Sequence, residues 1–339
     1  LTNDQEIAPT LESFAAFMAR ALHDPERGYY ARKTRGIGGM RGDFATAATL
    51  SPVLGQAVAA WLKKAQASMP KVRQVIEVGA GNGMLMQTVR QSLGWWRGRR
   101  LAWNIVETSA PLREQQRQRL GDGVRWHTSL EIALQSCQGQ AFIYHNELLD
   151  AFPARLVQKQ EDRWQEVFVN QENGITREYL RPLELSLEES SSFSALQHAS
   201  FREGQRVELH ASVRDWLRTW TPHWAEGAML TIDYGDPLPA LYHRRPRGTV
   251  RAYLMHQRLE GPAVYENVGR QDLTADINFT DYRAWAAECG MKEAFFGSQA
   301  DFIRLHHPGA ESPMVDPEGA GGAFKALVHE KHEQGSSPP

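Results

Sequence analysis

The sequence has almost no cysteine: two in 339 residues, Cys137 and Cys289, far apart and in no C-x-x-C pair. That excludes a disulfide framework and fits a reducing cytoplasm, with both cysteines expected as small buried hydrophobes. Long apolar runs are also missing. No stretch approaches the roughly 20 residues that span a bilayer, and the first residues lack a basic segment followed by an apolar one, so neither a membrane span nor export is expected. Excess charge is absent as well, since 38 Lys+Arg against 40 Asp+Glu leave -2. No general electrostatic footprint for nucleic acid follows, and the clusters Arg97, Arg99, Arg100 and Arg244, Arg245, Arg247 read as solvated loops. His329 and His332 are three apart and lack the H-E-x-x-H spacing of a zinc helix, so no metal is expected. The G-x-S-x-G elbow of a serine hydrolase does not occur.

What is present is a strand that runs into closely spaced glycines and then a helix. Val75-Ile76-Glu77-Val78 leads into Gly79-Ala80-Gly81-Asn82-Gly83 and on to Met84-Leu85. Glycines there let the main chain take left-handed conformations and approach a nucleoside without a Cβ between. A dinucleotide fingerprint wants glycine or alanine where this chain has Met84, which argues against a nicotinamide oxidoreductase. The G-x-G-x-G spacing with Glu77 two residues ahead resembles motif I of S-adenosylmethionine-dependent methyltransferases. A second acid follows at the right distance: Leu101 to Val106 is apolar and ends at Glu107, where a strand-tip carboxylate can accept from both ribose hydroxyls. Ser109 and Pro111 then open a helix.

From residue 72 the pattern alternates strand and helix through the apolar run Ala141 to His145, and a further core strand is expected at Ala228 to Asp233. This is an α/β chain with a doubly wound, mostly parallel sheet. Late strands near 292-296 and 324-329 would supply an antiparallel edge. Residues 1-70 form an N-terminal helical region, its first helix starting at Thr10 and its second at Ser51-Pro52. Residues 71-154 are the cofactor-binding core, 155-210 an inserted subdomain with hairpin strands, 211-330 the remainder of the core, and 331-339 a disordered tail.

After the fourth core strand comes Asn146-Glu147-Leu148-Leu149-Asp150-Ala151-Phe152-Pro153, where topology places the acceptor beside the cofactor. Methyl transfer is an in-line displacement, so the protein mainly aligns nucleophile, methyl and sulfur and excludes water. Glu147 and Asp150 can bind a planar guanidinium and draw its charge away from the attacking nitrogen, with Asn146 shaping the pocket. The bland alternative is a helix-start acid pair. Asp233, Tyr234 and the polar loop 272-276 are candidates to line the acceptor cleft. Tyr29 and Tyr30 form part of a lid or pack as aromatic core.

Several segments in one order carry a specific likeness: Gly28-Tyr29-Tyr30, Gly42-Asp43-Phe44, the loop 77-83, Val106-Glu107, Asn146-Glu147 with Asp150 to Pro153, Ile232 to Gly235, Gly248 to Tyr253 and Gln271 to Asp276. They resemble the MidA / NDUFAF7 family, class I methyltransferases of the complex I assembly-factor type, across most of the chain. The resemblance implies a Rossmann-like class I methyltransferase fold. It implies S-adenosylmethionine as cofactor, held by Gly79, Gly81, Gly83 and Glu107 with Glu77, Gly42 and Asp43, and a protein arginine as acceptor. Where the family carries an acid after Gly-Asp-Phe, this chain has Thr46-Ala47-Ala48-Thr49. A methyltransferase on another nitrogen or a small molecule, and a non-catalytic assembly factor, are the alternatives. Ten tryptophans fill the core or cover a homodimer interface.

Overall fold

A computed structural model describes residues 11-31, 51-172 and 175-332. Its central sheet contains eight strands, here β1 (Gln74–Val78), β2 (Ala102–Val106), β3 (Val124–His127), β4 (Ala141–Asn146), β5 (Gly227–Asp236), β6 (Ile277–Asn278), β7 (Lys292–Ser298) and β8 (Phe324–Lys331). The order is 3-2-1-4-5-8-7, with β6 beside β5. Strands β1 to β5 are parallel neighbours, and β8 runs antiparallel between β5 and β7. This is the doubly wound, mostly parallel sheet expected. The winding reverses between β1 and β4, so a crevice opens at the carboxyl ends of these strands.

Both faces of the sheet are covered, which is why β4 reads as the unbroken run Ala-Phe-Ile-Tyr-His and every one of those residues is buried. Helices Val53–Ser68, Met84–Leu93 and Gln299–His306 pack on one face, and Leu130–Gln135, Ala211–Trp220 and Phe279–Glu288 on the other. Among the described residues no helix is long and apolar enough to cross a membrane.

Local signals account for most boundaries, and some expectations need correction. The first helix spans Phe14–His23 rather than starting at Thr10, because Ser13 Oγ accepts from Ala16 N at 3.2 Å while Glu12–Ser13 is drawn into strand pairing with Phe168 and Val169. Residues 155-210 build a second sheet from Arg155–Gln160, Arg163–Glu172, Ile175–Pro182 and Arg206–Leu209. Its serine-rich stretch is used for capping: Ser186 and Glu189 close a capping box on helix Leu187–Ser191. A third sheet pairs Arg251–Leu254 with Gln257–Leu259 and with Asp272–Thr274. Residues 272-274, expected as part of a polar loop, are therefore a buried strand. The last strand includes Lys331, paired with Gly227, so the expected tail begins too early; residues 333-339 lie outside those described. Cys137 and Cys289 are half-buried, not fully buried, because both sit at helix ends near the surface.

Candidate active site

The crevice at the strand ends holds a cavity of about 580 Å³ whose walls include Glu77, Gly79, Gly81, Asn82, Glu107, Leu130, Asn146, Glu147, Phe152 and Trp216. All three loop glycines have positive φ: 67° at Gly79, 52° at Gly81 and 81° at Gly83. A Cβ on Gly79 would also lie 2.7 Å from Leu148 Cδ1, so any side chain there would crowd the loop after β4. Gly83 ends the loop as the left-handed residue preceding helix Met84–Leu93, whose first N–H Asn82 Oδ1 accepts at 3.1 Å. Gly79 and Gly81 thus meet the cavity with backbone alone.

Glu107 sits at the tip of β2, where Oε1 accepts from Ser109 N at 2.9 Å and Oε2 from Gln116 Nε2 at 3.1 Å. Burial raises its pKa above the usual carboxylate range. Gln116 Nε2 also donates to Gly81 O at 2.9 Å, and its Oε1 accepts from Trp126 Nε1 at 2.9 Å. This wholly buried glutamine locks the glycine loop to the acid at the tip of β2. Sequence reasoning missed it; its only trace was a polar residue on the inward side of helix Ala110–Leu120. Glu77 is buried at the end of β1, accepts from Tyr144 Oη at 3.0 Å, and is pushed up to about 8 by desolvation.

A second, smaller cavity of about 160 Å³ is lined by Tyr30, Glu147, Asp150, Tyr234, Tyr253, His256, Asp272 and Thr274. Tyr30 and Glu147 line both cavities, so the two share a wall. Glu147 itself has φ 53°, a left-handed conformation unusual outside glycine, and its N–H donates to Ile232 O at 2.9 Å. Asn146 Nδ2 donates to Glu147 Oε1 at 2.8 Å, while Asn146 Oδ1 is buried with no hydrogen-bond partner. Asp150 is held well above the usual carboxylate range by burial and then by the charges of Asp233, Asp272 and Glu147. Tyr30 Oη donates to Asp272 Oδ1 at 3.1 Å.

Behind this cavity lies a cation that the sequence reading quoted only within a motif. Arg251 is buried, donates from Nε to Tyr253 Oη at 2.9 Å and pairs through Nη1 with Asp276 at 2.5 Å. Its guanidinium also lies 4.9 Å from the ring centre of Tyr234. Asp276 binds Arg245 as well, so the third sheet is braced against the acids.

Two expected substrate contacts are placed elsewhere. Asp233 lines neither cavity: it is fully buried and accepts from Leu148 N, Leu149 N and Tyr234 N at 3.0, 2.7 and 3.0 Å. It fixes the loop that presents Glu147, and burial lifts its pKa to about 7. Tyr29 is core, 2% exposed among Phe14, Phe17 and Met18. The chain turns after Asp24 so that Tyr29 N donates to Ala21 O and Tyr30 N to Leu22 O, and the two rings pack edge to face at 5.1 Å between centroids. Tyr30 and Tyr234 do reach the small cavity. Gly42, Asp43 and the segment 46-49 lie outside the described residues.

A doubly wound sheet with a glycine cradle and a strand-tip acid at its switch point defines a nucleoside-cofactor-binding α/β protein. A family model for S-adenosyl-L-methionine-dependent methyltransferases matches residues 53-296. The chain belongs to that family. Among curated proteins it is similar to the mitochondrial protein arginine methyltransferase NDUFAF7 homolog of Caenorhabditis elegans, 26% identical over 302 residues that cover 78% of this chain and 66% of the relative. The human mitochondrial protein arginine methyltransferase NDUFAF7 is 25% identical over 301 residues, 80% of this chain and 65% of the relative. The chain therefore spans just under two thirds of the length of these relatives. A crystal structure from Burkholderia thailandensis bound to S-adenosyl-homocysteine superposes with TM-score 0.84 at 28% identity, covering 96% of this chain and 89% of that one. A native crystal structure from the same organism gives 0.76 at 27% identity, covering 96% and 88%.

The residues present fit S-adenosylmethionine. Gly79 and Gly81 bring left-handed backbone to the cavity wall, Glu107 offers carboxylate oxygens there, and the orphaned Oδ1 of Asn146 belongs to a residue lining the same cavity.

Proposed function

We propose that this chain transfers a methyl group from S-adenosylmethionine to an arginine guanidinium of a protein. The observation that supports the acceptor is the small cavity, where Glu147, Asp150 and Asp272 gather beside three tyrosines and meet the cofactor cleft at Glu147. Such a pocket favours a planar cation: carboxylates bind the N–H fork, and tyrosine faces attract its charge. The cofactor, when bound, supplies an activated methyl group. Glu107 with Gln116 fixes the ribose, and Glu147, on the shared wall, orients the acceptor nitrogen toward the cleft. Asp233 and Asn146 hold Glu147 in its left-handed conformation. Enclosure of the acids excludes water from the reacting atoms.

The names of the curated relatives agree with this acceptor. A cytoplasmic setting, expected from the two unpaired cysteines, is part of the same reading, although those relatives are named mitochondrial. The test is incubation with methyl-labelled S-adenosylmethionine and cell extract, followed by mass spectrometry of the labelled protein. Label on an arginine supports the proposal; label on another side chain or a small molecule moves the acceptor assignment, and cofactor binding with no label on any acceptor rejects transfer.

A further inference from the structure

Methylating a cationic nitrogen leaves a proton to dispose of. As the N–C bond forms, the S–C bond breaks and its electron pair stays on sulfur. The methylated guanidinium then carries one N–H too many, and that proton leaves while the bonding pair stays on nitrogen. The acids of the small cavity are poorly suited to take it. Asp150 and Asp272 are each 4% exposed, so neither delivers a proton readily to solvent. Glu147 serves better as the hydrogen-bond partner of the acceptor, kept in place by Asn146.

His256 lines the same cavity and is exposed to solvent. Met255 and His256 have φ of 49° and 64°, and they form the two-residue turn between Leu254 and Gln257, which pair in the hairpin. This short, paired turn holds the His256 side chain at the cavity wall. We infer that His256 is a catalytic residue, the base that accepts the proton released from the acceptor nitrogen and delivers it to solvent. Histidine suits the task because it gains and loses protons near neutral pH. Across the cavity it faces Tyr30, Glu147, Asp150, Tyr234, Tyr253 and Asp272. The inference rests on the proposed methyl transfer and adds the base that the transfer requires.

Asparagine and glycine both tolerate the left-handed turn, so His256→Asn and His256→Gly keep the hairpin while removing the base. Initial rates of label transfer from methyl-labelled S-adenosylmethionine to cell-extract protein are compared with wild type between about pH 6 and 9. Both variants are expected to lose about a hundredfold in rate and the fall in rate on the acid side, with cofactor affinity by calorimetry unchanged. Added imidazole should partly restore the glycine variant. Rates within about twofold of wild type, or a loss that keeps the wild-type pH profile and resists imidazole, would overturn the assignment of His256 alone. A wild-type protein that transfers no label would overturn the proposed function together with this inference.

Discussion

The large cleft takes nearly all of its walls from loops that follow four parallel strands, residues 77-153 with a few additions, whereas the small cavity collects side chains from Tyr30 to Thr274. The first is made mostly of backbone and apolar surface held by the sheet. The second is made of ionisable groups that the fold must force together, with Arg251 and Asp276 braced behind them. Cofactor recognition follows from topology, because every strand end at the switch point faces the same crevice. The small cavity has no such scaffold, and under the proposed function a cationic acceptor would offset the cost of burying its acids.

The largest effect is expected where the two cavities touch. Glu147→Gln keeps the size and the bond from Asn146 but removes the charge that orients the acceptor. Methyl transfer should fall by about 10²–10³-fold, while calorimetry finds S-adenosyl-homocysteine affinity within about threefold of wild type. Equal losses in both would show that the cavities are one site and not two. Glu107→Ala should do the reverse. It removes a carboxylate from the cleft wall and leaves Gln116 Nε2 and Ser109 N short of a partner, so affinity for S-adenosyl-homocysteine should drop by about 10–100-fold, or roughly 1.5–3 kcal/mol. A change of less than about threefold would remove Glu107 from the cofactor set.

The same contrast explains what could be read from the sequence. Glu77, the glycine loop and Glu107 lie within one strand–loop–helix unit and its neighbour, so spacing alone places them together. Gln116 escaped notice because a single polar residue on a helix gives no periodic signal, although it ties that loop to Glu107. Asp272 and Thr274 were harder still. Their polar sequence reads as loop, and only pairing with Arg251 and Tyr253 makes them a buried strand at the small cavity. Asp233 shows the opposite error: a strand-end acid beside the site looks like a ligand, but three backbone N–H groups claim its oxygens.

Glu77 sharpens the comparison through pH. Burial pushes its carboxyl up to about 8, so between these values the folded chain holds a proton that the unfolded chain, near the ordinary 4.5, has already lost. Folded stability from this group is therefore greatest at low pH and declines as pH rises from about 4.5 to 8, levelling off above that. A positively charged cofactor beside Glu77 favours the ionised form, so binding should release a proton. Cofactor affinity should then rise by up to about tenfold between pH 6.5 and 8.5, and Glu77→Gln should flatten that rise. Calorimetry in buffers of different ionisation enthalpy measures the released proton directly, and no release would mean that Glu77 stays neutral in the complex.

Tyr30 gives the smallest and most discriminating change, because it belongs to both walls. Its carbonyl accepts from Ser109 Oγ at 2.7 Å, next to Glu107, while its hydroxyl donates to Asp272 at 3.1 Å. Tyr30→Phe leaves the first bond, which is made by backbone, and deletes the second. Acceptor KM should rise about fivefold, the worth of one hydrogen bond near 1 kcal/mol, with cofactor affinity unmoved. If cofactor affinity fell as well, the hydroxyl would be transmitting strain back through Ser109 to Glu107, and acceptor and cofactor would be coupled through this one residue. Comparing Tyr30→Phe with Ser109→Ala and the double variant separates the cases: independent cavities give additive losses, and energetically coupled ones give a double variant no worse than the larger single one.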